Sequence, residues 1–285
     1  MIQLSGIKTK LSISDIVFVL GPRINAAGRM DDASDAVKLL TATGLNGHAA
    51  NGAEILQQRN TERKEVDTTI TQEAVDMIIN DEAQLNKKST VLYKPDWHKG
   101  VIGIVASRLM QRFYRPTVIL TRSNDMVTGS ARSVKNYNIY EAINACSELI
   151  DQFGGHKYAA GLTIQPKNVD EFIRQFEAYV DDTITDELLI PEIIIDADIR
   201  LKDITDQFYN ILKQFAPFGP ANMKPVFRAK GVYDTGHSGI VGETHIRFNI
   251  KQKDSFSVKG IGYGMSHFFE IIEGGQPFDL SLIHI

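Results

Sequence analysis

Residues 128–161 read TGSARS at their start (128–133) and FGGHKYAAG at their end (153–161), and they are the most informative part of the sequence. Glycine lets a backbone approach a ligand closely, a serine hydroxyl can donate, and an arginine guanidinium matches phosphate oxygens. Two adjacent glycines can point successive N–H groups at an anion, here beside the imidazole of His156, which can donate or shuttle a proton. The two ends therefore predict an anion-binding site built from two turns.

Apolar residues between these ends recur at three- and four-residue spacing, which predicts one face of an amphipathic helix. They are Ile139, Ala142, Ile143, Cys146, Leu149 and Ile150. Either end alone also fits an ordinary Ser/Gly turn or a glycine helix cap. The presence of both ends on one helix favours the ligand site.

The composition predicts an ordinary globular protein. The 285 residues allow two domains or three small ones, with 43% hydrophobic and 23% charged residues. The single cysteine, Cys146, excludes an internal disulfide framework and a cysteine-based zinc site, and its place on the apolar helix face predicts a buried thiol. We find no apolar run of about 20 residues and no secretory leader, so we expect no membrane partner and a cytoplasmic location.

The charge is unevenly distributed. The net charge of −4 argues against broad non-specific binding to nucleic acid. Residues 94–135, however, hold eight Lys/Arg and two acidic residues, a local +6 that leaves −10 on the remainder. A basic region on an acidic body can focus a nucleic-acid site on one surface, although a solvated helix face gives the same pattern.

The N-terminal stretch offers three further polar candidates. IVFVL at 16–20 predicts a buried strand, and GPRINAAGRMDD at 21–32 predicts a loop that leads into a helix starting at 32–34. Arg23, Asn25 and Arg29 lie among small residues there, and phosphate contact is one explanation for them. A capped helix after a loop explains the glycines and acids without a ligand.

The middle of the chain predicts a long helix and a small α/β domain. The sparse apolar stripe over 48–80 is typical of a helix that bridges two domains, with a boundary near 81–88. Strands at 90–93 and 117–121 flank a helix that starts at 98–100, and a last helix covers 170–180.

The remainder predicts mainly strands. We expect them at 192–201, 226–233, 244–252 and 256–262, with a helical face over 208–215, after an acidic linker at 181–191. The middle strand alternates apolar with polar and basic residues, which suits a small barrel of the OB type, although any half-exposed antiparallel sheet shows the same alternation. PFDLSLIHI at 277–285 stops within a predicted strand, so we expect a fragment.

Four stretches together resemble the RecJ family of single-strand-specific 5′-to-3′ DNA exonucleases, part of the DHH phosphoesterase superfamily. They are GPRINAAGR (21–29), HKGVIGIVASRL (98–109), GSARS (129–133) and FGGH with AAGL (153–156 and 159–162). The resemblance covers nearly the whole chain and implies an α/β plus all-β fold. It implies the tail of a DHH domain (1–45), a long connecting helix (46–85), a DHHA1 α/β domain (86–185) and a truncated OB-fold β-barrel (190–285).

The resemblance also implies roles for individual residues. Ser130 and Arg132 match the motif that holds the 5′-terminal phosphate, with Arg23 placed to help, and the GGH motif at 154–156 matches residues that contact the backbone near the scissile phosphate. The candidate substrate-binding residues are Arg23, Asn25, Arg29, Ser130, Arg132, Gly154 and Gly155, and the candidate catalytic residue is His156. Single-stranded DNA with a 5′ end is the expected partner in DNA repair and recombination; a helicase and a single-strand-binding protein are further candidate partners.

One departure from the family pattern concerns metals. The family hydrolyses DNA with a pair of Mn²⁺ or Mg²⁺ ions held by aspartates and histidines of the DHH motifs. Those motifs precede residue 16 in the family's order, and no Asp-His-His occurs in this sequence. We therefore expect this chain alone to bind no catalytic metal and to hydrolyse little or nothing.

Two other functions fit the residues. The chain could act as a non-catalytic module that binds single-stranded nucleic acid. It could also belong to a DHH relative that acts on short oligoribonucleotides or small phosphoesters, although a substrate of that size needs no OB-like strand channel.

Overall fold

The structure is a computed structural model that describes residues 1–8, 11–42 and 47–282. The chain forms two compact units, Met1–Pro191 and Glu192–Ile285. The strand end expected at 283–285 and the domain boundary expected at residues 45 and 46 lie outside the described residues. The other domain bounds taken from the sequence stay predictions. None of the described helices is both long enough and apolar enough to cross a bilayer.

The first unit begins with helices, so the buried strand predicted at 16–20 and the loop predicted at 21–32 are both wrong. Helix α1, Ile13–Asp15, continues through a π-helical turn, Ile16–Leu20, into α2, Gly21–Met30. The Ser12 hydroxyl accepts from the Asp15 N–H while the Asp15 carboxylate accepts from the Ser12 N–H, which satisfies two donors that a helix start leaves unpaired. The apolar run at 16–20 is largely exposed; Phe18 alone is 77% exposed.

The predicted long helix is confirmed. Helices α3, Ser34–Thr41, α4, Gly47–Ile79, and α5, Glu82–Leu85, follow α2. Near its start α4 buries Leu56 against Ala27 and Ala36. Toward its end, Ile70, Ala74, Val75 and Ile78 pack into a second apolar cluster.

A five-stranded sheet forms the centre of the first unit. Its strands are β1, Thr90–Tyr93, β2, Thr117–Ser123, β3, Met126–Arg132, β4, Ile150–His156, and β5, Ala159–Ile164. The order in the sheet is β1-β2-β3-β5-β4. Strands β1 and β2 are parallel because helix α6, Ile102–Phe113, carries the chain back between them, and the other pairs are antiparallel.

Helices cover the two faces of this sheet unequally. Helices α7, Ile139–Asn144, and α8, Val169–Thr183, pack on one face over a large apolar core. Helix α6 packs with α4 on the other face, over β2 and β3. Beyond α6 that second face is open: on β5 and β4, Gly161, Gly154 and His156 are exposed. We call this part of the sheet the open face.

The second unit is a mixed set of short strands and helices. Its strands are β6, Ala197–Asp198, β7, Phe227–Asp234, β8, Gly239–Val241, β9, His245–Lys251, β10, Val258–Gly262, and β11, Phe278–Leu282. Its helices are α9, Asp206–Gln214, and α10, Phe269–Glu273. The order is β10-β9-β7-β11, with β6 on β7 and β8 on β9. The strand predicted at 192–201 is wrong except at Ala197–Asp198.

The alternation in β9 is confirmed. Ile246, Phe248 and Ile250 are buried in the core of the second unit, while Arg247 is exposed on the opposite side of the strand. Among the described pairings the outermost strands, β10 and β11, do not pair with each other. The α/β unit followed by a unit built mainly of strands nevertheless confirms the predicted fold class.

The thiol of Cys146 is buried, as predicted. Cys146 is 2% exposed in the core under α7 and α8, and burial raises its pKa to about 11 from 9.0. The folded state therefore holds this proton more tightly than the unfolded state, so the thiol's contribution to stability is complete below pH 9 and is lost as the pH rises through 11.

We expect native protein at about pH 8, below the ordinary thiol pKa, to leave Cys146 unmodified by a thiol reagent, and urea to expose it. We also expect the free energy of unfolding to fall between pH 9 and about pH 11 more steeply in the wild type than in Cys146→Ala. Equal slopes for the two proteins, or fast modification of the native thiol, would contradict this account.

Candidate functional site

Residues 128–132 of the TGSARS stretch lie in strand β3, so the turn predicted there is wrong. Burial alternates along the strand: Val127, Gly129 and Ala131 are buried in the core, and Ser130 and Arg132 lie on the other face. A Cβ at Gly129 would lie 2.5 Å from a Leu120 methyl and 2.9 Å from a Leu162 methyl. Gly129 is therefore explained by close packing of the sheet, not by approach to a ligand.

The FGGH stretch is also a strand, β4, so the predicted second turn is wrong, as is the single helix joining the two. Helix α7 ends at Asn144 and a 3-10 turn, Ser147–Leu149, leads into β4. Strand β5 pairs with β3 on one side and β4 on the other. The two motifs are therefore brought together by strand pairing.

The register sets these residues in two rows across the three strands. Ser130 pairs with Gly161, which pairs with Gly154; Arg132 pairs with Ala159, which pairs with His156. Directly paired residues project to the same face, so both rows lie on the open face. Two strand spacings separate the ends of a row, about 10 Å.

The row that starts at Ser130 continues as a floor without side chains. A Cβ at Gly154 would meet nothing within 4 Å, and one at Gly161 would meet only the Gly129 carbonyl oxygen, at 3.8 Å. We call Gly154 and Gly161 the glycine floor. It offers room for a ligand backbone to lie directly on the sheet.

Arg132 is the most distinctive side chain at the edge of this floor. Its Nη1 donates to Ser130 Oγ at 3.0 Å and to the Ala131 carbonyl oxygen at 2.7 Å, and its Nε donates to Ser107 Oγ at 3.1 Å. Burial, and then the positive charge of Arg29, lower its pKa. Among the described residues no carboxylate pairs with this half-buried guanidinium, so an anion can supply the missing charge.

Helix α6 also contacts Arg132, through Ser107 and the backbone at Gly103. A Cβ at Gly103 would lie 3.0 Å from both Ser130 Oγ and Arg132 Nη2. Ser107, one helical turn later, accepts from Arg132. The glycine in the first turn of α6 therefore lets the helix approach Ser130 and Arg132 closely.

Arg29 joins the same region from α2. Its Nη1 donates to the Gly100 carbonyl oxygen at 3.1 Å, and a Cβ at Gly100 would overlap the Arg29 carbonyl oxygen. Helix α2 therefore packs directly on the segment before α6. Asn25 is exposed one turn earlier on the same face of α2.

Arg23 is engaged elsewhere. Its Nε donates to Gln57 Oε1 on α4 and its Nη1 donates to the Val19 carbonyl oxygen, both at 2.6 Å. These contacts tie α2 to α4 and do not involve Ser130 or Arg132. A role for Arg23 with a ligand stays a prediction.

His156 has a defined tautomer. Its Nδ1 accepts from the Tyr158 N–H at 3.2 Å, which leaves the proton of the neutral imidazole on Nε2. The side chain is exposed at the end of the Arg132 row. Nε2 can therefore donate a hydrogen bond to an oxygen on the open face.

Several charges of the basic region at 94–135 have structural partners. Lys94 pairs with Glu73 at 2.7 Å and Arg108 pairs with Asp67 at 2.5 Å. Arg115 is 4% exposed and donates to three backbone carbonyl oxygens around the end of α5. Part of the charge that predicted a nucleic-acid surface therefore stabilises the fold.

The sequence interpretation missed Ser107 and the ion-pair network next to it. Asp67 is fully buried and pairs with both Arg63 and Arg108. Burial raises the pKa of Asp67, and the two arginines oppose that rise. The sequence does not reveal the pair between Asp67 on α4 and Arg108 on α6, because the two side chains meet only when the helices pack against each other.

Among the side chains that the structure describes, no three His, Cys, Asp or Glu residues are grouped so that they could hold a metal ion.

Comparisons with known proteins find a matching domain family within each unit. The chain matches the DHHA1 domain family over residues 86–182 and the RecJ OB domain family over residues 195–282. It is 33% identical over 266 residues to the single-stranded-DNA-specific exonuclease RecJ of Bacillus subtilis, covering 92% of this chain and 33% of that one. Against the protein of the same name from Escherichia coli it is 32% identical over 249 residues, covering 85% and 43%.

Solved structures agree in fold. The crystal structure of RecJ in complex with Mn²⁺ from Thermus thermophilus has a TM-score of 0.81 and 23% identity, covering 97% of this chain and 39% of that one. The complex with Mg²⁺ has a TM-score of 0.80 and 25% identity, covering 93% and 40%. The chain thus spans less than half the length of these relatives.

Proposed function

Because the chain belongs to the RecJ family, we propose that it is the strand-holding part of a single-strand-specific 5′-to-3′ DNA exonuclease that hydrolyses phosphodiester bonds in DNA repair and recombination. The observation that carries this proposal is the half-buried guanidinium of Arg132, which has no carboxylate partner among the described residues and lies beside the glycine floor.

In this proposal the 5′-terminal phosphate binds to Arg132 and to the Ser130 hydroxyl. Arg29, whose charge acts on Arg132, adds positive potential on the same side. The DNA strand then crosses the glycine floor, where Gly154 and Gly161 leave space for the DNA backbone. His156 donates from Nε2 to an oxygen of a following phosphodiester. Asn25 is a further contact on α2. Gly155 sets the backbone shape of β4 beneath the DNA strand.

The second unit is proposed to bind the continuing strand. The side of β9 that carries Arg247 and Lys251 supplies phosphate contacts, and exposed aromatic rings such as Tyr263, 74% exposed, supply stacking. The match to the RecJ OB domain family favours a long strand over a dinucleotide, and so weighs against the oligoribonuclease alternative. A helicase and a single-strand-binding protein are proposed partners, because duplex DNA must first be unwound and then kept single-stranded.

The hydrolytic metals are proposed to be held outside the described residues. Mn²⁺ or Mg²⁺ would supply an activated water and neutralise charge at the phosphate. This chain's own residues are assigned only to binding and orienting the strand, since the described ones include no suitable donor cluster.

We therefore expect the 285-residue chain to bind 5′-phosphorylated single-stranded DNA without shortening it in Mn²⁺. Affinity measured by fluorescence anisotropy should fall steeply between roughly 50 and 200 mM salt, on the order of tenfold or more, because phosphate contacts release counterions. The same samples run on a denaturing gel should keep their length. Robust turnover would refute the assignment of the metals, and the absence of binding would refute the proposed function.

A further inference from the structure

The turn between β4 and β5 presents an exposed aromatic ring beside the phosphate site. Lys157 and Tyr158 form this turn, and Tyr158 is 43% exposed. A tyrosine at a loop tip is often only a solvated side chain. Here, however, the backbone is held on both sides: the Ser133 N–H donates to the Tyr158 carbonyl oxygen and the Ile139 N–H to the Lys157 carbonyl oxygen, each at 3.1 Å.

The ring lies toward the open face. Tyr158 meets His156 edge-on, with ring centroids 6.5 Å apart and an interplanar angle of 73°. His156 is in the row of Arg132, so this contact places the Tyr158 ring next to that row. Ala159, the next residue in the chain, is paired directly with Arg132.

One cation lies at the ring, and a second lies in the neighbouring row. Lys157 Nζ is 5.6 Å from the centroid of Tyr158, and Arg132 is paired with Ala159, the residue that follows Tyr158. An aromatic ring on a hydrogen-bonded turn, with a lysine at the ring and an arginine in the neighbouring row, is the combination with which proteins bind single-stranded nucleic acid: stacking on a base and charge on the phosphates.

We propose that Tyr158 is a stacking platform for the base of the 5′-terminal nucleotide, and that Lys157 contacts the phosphate that follows it. This inference rests on the proposed function, because it takes the phosphate at Arg132 as its starting point. Stacking on a ring does not read hydrogen bonds, so the platform accepts any of the four bases.

The test compares a 5′-phosphorylated DNA trinucleotide with the same molecule lacking its first base. Isothermal titration should give the wild type about tenfold weaker binding to the abasic ligand. Tyr158→Ala should bind the intact ligand about tenfold more weakly than wild type and should lose nothing further on the abasic one. Tyr158→Phe should stay within about twofold of wild type, while Tyr158→Leu, which keeps bulk without the aromatic face, should behave as Tyr158→Ala does.

Failure of this inference can be told apart from failure of the proposed function. If the wild type prefers the 5′-phosphorylated over the 5′-hydroxyl trinucleotide and Tyr158→Ala binds as the wild type does, the stacking platform alone is refuted. An equal loss on intact and abasic ligands also refutes it, because a role in holding the turn would not depend on the base. If the wild type shows no preference for the 5′-phosphate, both the proposed function and this inference are refuted.

Discussion

Arg132→Ala is expected to weaken binding of a 5′-phosphorylated single strand by about 100-fold, the scale of a charge-assisted contact in a partly desolvated site. Binding of a 5′-hydroxyl strand should change by less than about threefold, because the remaining phosphate contacts are unaltered. Arg132 is half-buried and no carboxylate among the described residues shares its charge, so we expect the terminal phosphate to neutralise it. Fluorescence anisotropy with both strands measures the ratio directly.

The controls separate charge from structure. Arg132→Lys keeps the charge but loses the donors that reach Ser107 and Ser130 together, so an intermediate loss is expected. Arg174→Ala removes an exposed arginine paired with Glu171 on α8, under the opposite face of the sheet, and should leave binding unchanged. If Arg132→Ala folds and keeps the preference for the 5′-phosphate, Arg132 is not the phosphate ligand.

The two adjacent glycines of β4 are expected to respond in opposite ways to an added methyl group. Gly155 has φ of 152°, and a Cβ there would overlap the Ala159 carbonyl oxygen and lie 2.5 Å from the Ala160 Cα, both backbone atoms of the partner strand. Gly155→Ala should therefore lower the free energy of unfolding by about 3 kcal/mol. Urea unfolding followed by the fluorescence of the single tryptophan, buried Trp97 in the first unit, measures this.

Gly154→Ala is the matched variant. Its methyl group meets nothing within 4 Å, so stability should stay within about 0.5 kcal/mol of wild type. The methyl group would stand on the glycine floor, however, and should weaken strand binding by about tenfold or more by keeping the ligand backbone off the sheet. Equal stability of the two variants would contradict the strand geometry; full binding by Gly154→Ala would contradict the floor.

Local sequence signals predicted most of the helices and strands, but they did not predict how these elements pack and pair. The long helix and the strands at 90–93 and 117–121 follow from apolar periodicity, which the fold preserves. The run at 16–20 looked like a buried strand because its residues are mostly β-branched and apolar, and a short apolar run cannot be assigned by periodicity alone. A capping box at Ser12 and the continuation into α2 make it helical.

The two turns predicted for the candidate site were wrong, and the binding roles of its residues stay predictions. Ser130, Arg132, Gly154 and His156 lie on one face of the sheet through pairing to β5, a non-local register that a single sequence does not reveal. Gly129 looked like a ligand-approach glycine, whereas its neighbours Leu120 and Leu162 explain it by packing. Arg23 looked equivalent to Arg29 until its contacts with Gln57 and Val19 separated the two.

The most direct test is a crystal structure of the chain with a 5′-phosphorylated DNA trinucleotide. We expect the terminal phosphate within hydrogen-bonding distance of the Arg132 guanidinium and Ser130 Oγ, with the following backbone lying over Gly154 and Gly161. A trinucleotide bound only to the second unit, with nothing on the open face, would contradict it.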